Sequence, residues 1–139
     1  MICSFFGHRD TPDTAEKILE NTLKLLISEQ HISMFYVGNN GKFDKMVQKQ
    51  LHKLSHQYNI KYTIVLSCLS DSINEDYIKH TVFPEGIEKI PHKFRINWRN
   101  KWMLKQSDIV ITYVTHPSSG AYKYKLLAEK QKKIVISLV

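Results

Sequence analysis

Short apolar runs alternate with amphipathic stretches of helical spacing along almost the whole chain, and few folds accommodate that alternation. Strand, helix, strand, helix in succession requires crossover connections, so the strands run parallel and helices cover both faces of the sheet. The pattern predicts an α/β fold in three layers, with a mainly parallel sheet of about five strands. Ile2–Phe6, Ser33–Val37, Tyr62–Leu66, Ile109–Val114 and Ile134–Leu138 read as strands, and Thr81–Phe83 as a short extra one.

The helices follow from spacing. Asp13 with Glu16 three residues on has the form of a capping box. Ala15, Ile18, Leu19, Thr22, Leu23, Leu26 and Ile27 then recur as one buried stripe. Phe43, Met46, Val47, Leu51, Leu54 and Tyr58 mark a second helix; others are expected over about Lys93–Gln106 and Gly120–Gln131. Regularity fails between Leu69 and Pro91. Ser70, Asp71, Ser72 and Asn74 are turn and cap chemistry there, and Pro84-Glu85-Gly86 breaks the chain. So long an irregular segment is more often a functional loop than an accident.

At 139 residues the chain is read as one domain, 1–139, large enough for a core. No apolar run approaches the ~20 residues of a membrane helix, so no membrane partner is expected. The amino terminus reads directly as a strand, so no signal peptide is expected, and Cys3 and Cys68 suit reduced thiols in a cytoplasmic protein. Charge is uneven. Residues 89–139 hold eleven Lys and Arg against Asp108 and Glu129, a net +9 within an overall +7, which leaves −2 for the rest. A basic half suits an anionic partner, and lysine-rich helix surfaces also serve solubility.

Three strand ends carry the candidate chemistry. The first strand stops at Gly7-His8-Arg9, where a glycine permits close approach and a guanidinium offers a fork for phosphate or carboxylate. In an open α/β sheet ligands sit at such carboxyl ends. The second strand ends in Gly38-Asn39-Asn40-Gly41-Lys42-Phe43-Asp44, entering a helix whose first N–H groups attract anions. The spacing fits neither G-x-x-x-x-G-K-[ST] nor G-x-G-x-x-G. A third loop, Pro117-Ser118-Ser119-Gly120-Ala121, puts two hydroxyls and a glycine at a helix start: a phosphate cradle, or ordinary serine capping.

On the helix from Lys93, the residues Arg95, Arg99, Trp102 and Met103 share a face, with Trp98 and Asn100 alongside. Arg99 reads as a fork for phosphate and the tryptophans as packing. His52 and His56, four apart, lack both the intervening Glu of a metalloprotease helix and a third ligand, so they read as surface histidines and no metal is implied.

Together these segments resemble the SLOG superfamily, a Rossmann-like group that includes the LOG enzymes, DprA and small stand-alone proteins of the YpsA type. The likeness is closest to the stand-alone type and covers nearly the whole chain. It rests on Phe6-Gly7-His8-Arg9, on Val37-Gly38 through Gly41-Lys42-Phe43-Asp44, on Arg99-Asn100-Lys101-Trp102-Met103 with Ser107-Asp108-Ile109-Val110-Ile111, and on Ser119-Gly120-Ala121-Tyr122-Lys123 with Ala128.

The resemblance implies a Rossmann-like fold and a nucleotide or ADP-ribose-like ligand, held by Gly7, Arg9, Gly38, Gly41, Ser118, Ser119 and Gly120. Arg99, Asn100 and Lys123 would face phosphate, with His8 and Asp44 at ribose or base. No cofactor is implied, and pairing into a homo-oligomer is common in stand-alone proteins of this kind. LOG-type phosphoribohydrolases use an Arg in a motif like Arg99-x-x-x-Met103, which matches, and a Glu on the next glycine-loop helix. Here Tyr122, Lys123 and Tyr124 stand in its place, and a cation cannot act as that carboxylate.

The expectation is therefore a binding domain that senses or sequesters a nucleotide rather than an enzyme. Hydrolysis of an N-glycosidic or phosphoester bond, with Arg99 and Asp44 as the catalytic candidates, is the alternative. Single-stranded nucleic-acid binding through the basic half ranks third.

Overall fold

The computed structural model describes residues 1–69 and 72–139. Six strands form one sheet: β1 (Ile2–Gly7), β2 (Met34–Val37), β3 (Lys61–Val65), β4 (Thr81–Val82), β5 (Ile109–Tyr113) and β6 (Ile134–Ser137). Every pairing is parallel, in the order β4-β3-β2-β1-β5-β6. The sixth strand, beyond the five the pattern makes plain, is the two-residue β4 at one edge.

The helices are α1 (Ala15–Glu29), α2 (Lys42–Ser55), α3 (Arg95–Gln106) and α4 (Gly120–Lys130). Strand alternation sorts the core into two layers. Cys3, Phe5, Phe35, Val37, Ile64, Ile109 and Ile111 pack with the apolar stripes of α1 and α2. Phe6, Val65 and Val110 point the other way, onto Met103 and Leu104 of α3 and Tyr124 and Ala128 of α4. Burial of these two layers is the main force holding the sandwich together.

Four expectations change. The Asp13–Glu16 capping box does not form: α1 starts at Ala15 with no side-chain cap. Asp13 instead pairs with Lys42 at 3.0 Å, and Glu16 receives Lys49 and Gln50 of α2, each at 3.1 Å. Ile18 is exposed, because the buried arc of α1 runs through Ala15, Leu19, Leu23, Leu26 and Ile27. Tyr58 lies beyond the end of α2 and is exposed. The third helix is a 3-10 turn, His92–Phe94, that becomes α-helical at Arg95.

Between β3 and α3 the chain makes two further 3-10 turns, Glu75–His80 and Ile87–Lys89, flanking β4. Asn74 caps the first, its side chain accepting from Asp76 N at 2.9 Å. The Ser70–Asp71 part of the expected turn lies outside the described residues.

The strand order reverses between β1 and β5: the chain proceeds one way through β2, β3 and β4, then returns across β1 to β5 and β6. Parallel sheets open a crevice at such a reversal, on the carboxyl side. Gly7 pairs with Tyr113 at that edge.

Candidate functional site

A cleft of about 620 Å³ lies at the carboxyl ends of the strands. Gly7, His8 and Arg9 enter it from the end of β1, Gly38 from the β2–α2 connection and Asp44 from the first turn of α2. Arg99 and Asn100 come from α3, and Ser119, Gly120 and Lys123 from the start of α4. Gly41 and Ser118 do not line it. Gly41 sits under Arg9, and the exposed Ser118 has its Oγ 2.8 Å from His116 Nδ1.

Most of the glycines serve the protein's own packing. A Cβ on Gly7 would lie 2.4 Å from the Phe43 ring, so it is an aromatic side chain, not a ligand, that needs the space. On Gly38 it would lie 2.8 Å from Asp44 Oδ2 and 3.0 Å from the Arg99 guanidinium carbon. Gly41 has φ +95° and would press a Cβ to 2.7 Å from the Arg9 backbone. Only at Gly120 is the space open, with nothing within 4 Å.

At the amino terminus of α2 the first N–H is already engaged. Lys42 N–H donates to Arg9 O at 2.8 Å, and Asn40 N–H to Asp44 Oδ2 at 2.8 Å. The amino terminus of α4 differs. Ser119 Oγ accepts from Tyr122 N at 3.4 Å, as a cap should. Gly120 and Ala121, the first residues of the helix, have N–H groups with no intrahelical acceptor, and both residues line the cleft.

Arg99 is 1 % exposed, and its fork is already engaged. It donates to Val65 O at 2.8 Å, Asn40 Oδ1 at 2.6 Å and Asn100 Oδ1 at 2.8 Å. It therefore ties α3 to the end of β3 and to the β2–α2 loop, and its charge forms part of the cleft wall. The expectation of an arginine fork held open for phosphate gives way to a strut. Asp44, buried beside it, has its carboxyl raised above the usual range by burial, against the opposing pull of Arg99 and the Asn40 N–H.

Three other cations face the cleft. Arg9 is exposed, and its guanidinium has no hydrogen-bond or ion-pair partner among the described residues. Lys123 Nζ donates to Asn97 Oδ1 at 2.8 Å, and Lys93 Nζ lies 5.0 Å from the Phe94 ring centre. Lys93, Asn97 and Asn100 are spaced four and three apart, a helical face that the sequence displays and that reading it for arginines overlooks. Asp10, His116 and Asn40 also line the cleft; Asn40 and His116 belong to the loops that the sequence marks, although neither stands out there as a site residue.

His8 is 4 % exposed, and its Nε2 accepts from Thr115 N at 2.8 Å. Burial, then neighbouring His116, hold its pKa below the ordinary imidazole value, against Asp10. His52, half-buried, and His56, exposed, join His80, Tyr62 and Tyr77 in a cluster of rings. Among the described residues no three His, Cys, Asp or Glu stand in a metal-holding arrangement. A second groove, about 480 Å³, lies on the sheet face beside Trp102, lined by Tyr36, Lys61, Lys79 and Val82 among others.

No protein-family model matches the chain, and no curated protein does. Among solved structures it is similar to DNA processing protein A (DprA) from Streptococcus pneumoniae, with TM-score 0.71 and 16% identity over 97% of this chain and 49% of that one. It is also similar to DprA from Helicobacter pylori, with TM-score 0.67 and 16% identity over 99% of this chain and 64% of that one. The Helicobacter structure concerns that protein's single-stranded DNA binding mode. The chain thus spans about half to two thirds of these proteins. At this identity the likeness establishes the fold, a Rossmann-like α/β sandwich related to that of DprA. No helix is long and apolar enough to cross a membrane among the described residues.

Proposed function

We propose that the cleft binds a nucleotide or nucleotide-derived anion, in a single SLOG-like domain of the stand-alone type spanning 1–139, and that the protein senses or sequesters that ligand. One observation carries this reading. Open space at Gly120, on the amino end of α4, coincides with three cations, Arg9, Lys93 and Lys123, none of which forms an ion pair among the described residues. Helix N–H groups and unpaired cations around a concavity are the elements of a phosphate site. Arg9 is the bidentate contact, Lys123 and Lys93 supply point charge, and Arg99 with Asn100 holds the wall rigid.

Calorimetric titration with ADP and ADP-ribose tests the assignment. Arg9→Ala and Lys123→Ala should each weaken binding by about tenfold, the scale of one charge-assisted contact. Unchanged affinity in both variants would remove the proposal.

Two further readings each have a specific support. Asp44, a buried carboxyl raised in pKa at a cleft wall, is the kind of group that serves acid–base chemistry. Release of free base or ribose phosphate from a nucleotide panel, lost in Asp44→Asn, would make the protein a hydrolase. The +9 of residues 89–139, and the single-stranded DNA bound by the Helicobacter neighbour, favour nucleic acid as the anion. That reading demands an affinity falling steeply with salt as several counterions are released.

A further inference from the structure

The connection from β5 to α4 carries the amino terminus that faces the cleft, and a side chain from another strand end holds it. Thr115 N–H donates to His8 Nε2. Only an unprotonated ring nitrogen can accept that bond, so the neutral ring keeps its proton on Nδ1. Nδ1 is buried and has no hydrogen-bond partner among the described residues. The His116 ring covers His8, centroids 4.1 Å apart and planes within 2° of parallel. His116 Nδ1 in turn meets Ser118 Oγ, one residue before the Ser119 cap. The backbone of His8 is fixed from both sides: its N–H donates to Tyr113 O at 3.3 Å, and its carbonyl accepts from Thr11 Oγ1 at 2.7 Å.

We propose that His8 is a positioning residue: its neutral ring latches the β5–α4 loop to the end of β1, holding the start of α4 in place for an anion, and protonating the ring releases the loop. The inference rests on the reading of the cleft as an anion site. It also reverses a common sign. A histidine beside an anion usually strengthens binding as it gains a proton; here the added proton would set Nε2–H against Thr115 N–H and break the latch.

The groups facing His8 are known on each side. His116 stacks on it from the loop, Tyr113 meets it edge-on from β5 with centroids 6.2 Å apart, and Asp10 follows on its own segment. From α2 the uncharged Phe43 packs against the adjoining Gly7, while Lys93 and Lys123 line the same cleft from the α3 and α4 side. Only Asp10 favours the charged ring.

Imidazole ¹⁵N–¹H spectra of the ligand-free protein, from about pH 8 to about pH 5, test the latch. The expected result is the Nδ1–H tautomer at His8, with protonation moving the amide signals of Thr115, Ser119 and Gly120 together. An Nε2–H tautomer, or protonation that leaves those amides in place, would overturn the inference. His8→Gln places an acceptor oxygen near the Nε2 position and does not titrate, so the coupled amide step should vanish. His8→Phe, without an acceptor, should displace the same amides at every pH. If His8→Phe fails to fold, the glutamine variant still decides.

With ADP as probe, wild-type affinity should fall by about threefold more than that of His8→Gln on acidification. An equal fall in the two would contradict the latch. No ADP binding at any pH would instead strike the cleft reading, while the tautomer and the amides judge the latch alone.

Discussion

Arg99 and Arg9 both read in the sequence as forks for an anion, one on a helix and one at a strand end, and the structure gives them opposite settings. Arg99 is buried with three hydrogen-bonded acceptors, whereas Arg9 is exposed with none among the described residues. Two of the Arg99 partners lie 34 and 59 positions away, so no local pattern could disclose the strut. Arg99→Met should therefore destabilise the fold by about 3–5 kcal/mol, since it strands the buried Asp44 carboxyl and the three acceptors. Arg9→Ala should change stability by no more than about 0.5 kcal/mol while weakening nucleotide binding. Urea denaturation of both variants separates the two roles. Gly38→Ala should cost about 1–3 kcal/mol, because its methyl would press on Asp44 and Arg99 together. Wild-type stability in that variant would mean that the carboxyl and guanidinium are placed otherwise.

At the scale of elements, periodicity made the strands and long helices legible, because each buries a face whose repeat is fixed by backbone geometry. The stretch from Leu69 to Pro91 was not legible. Its first 3-10 turn buries no residue fully and is held by rings distant in sequence. His52 Nδ1 lies 2.7 Å from Tyr62 Oη, Tyr77 packs on His52 at 4.6 Å, and His80 stacks on Tyr62 at 4.2 Å. Burial, then Lys79, His52 and His56, hold the His80 pKa below its ordinary value, and burial raises that of Tyr62. The sign for His80 follows directly. Above an unfolded pKa of about 6.5 both states are neutral and its contribution to stability is complete. Below it the unfolded chain takes the proton first, so stability declines as the pH falls. Denaturation midpoints between about pH 7.5 and pH 5 should drop, and less so in His80→Gln. An identical slope in wild type and variant would contradict the coupling of His80 to folding.

Across the whole molecule, the strand reversal between β1 and β5 decides where a ligand can sit, and three strand ends converge there. Most of the residues singled out in the sequence line the cleft, because glycine and cation clusters at strand ends are local signals. Their surroundings were not legible, because those depend on which distant neighbour occupies the space: Phe43 beside Gly7, Arg99 beside Gly38. The concentration of positive charge in residues 89–139 acts at this scale too. A nucleotide bound by a few cations should lose affinity modestly with salt, whereas a nucleic acid spanning several would lose it steeply.

The most direct measurement is an amide chemical-shift map of the protein titrated with ADP and ADP-ribose. The largest changes should fall at Arg9, Gly120, Ala121 and Lys123, with the ligand recovered intact and stability raised by roughly 2.7 kcal/mol at a hundredfold excess over the dissociation constant. Changes centred on the Tyr36–Trp102 groove, or none with either ligand, would contradict the reading of the cleft as the anion site.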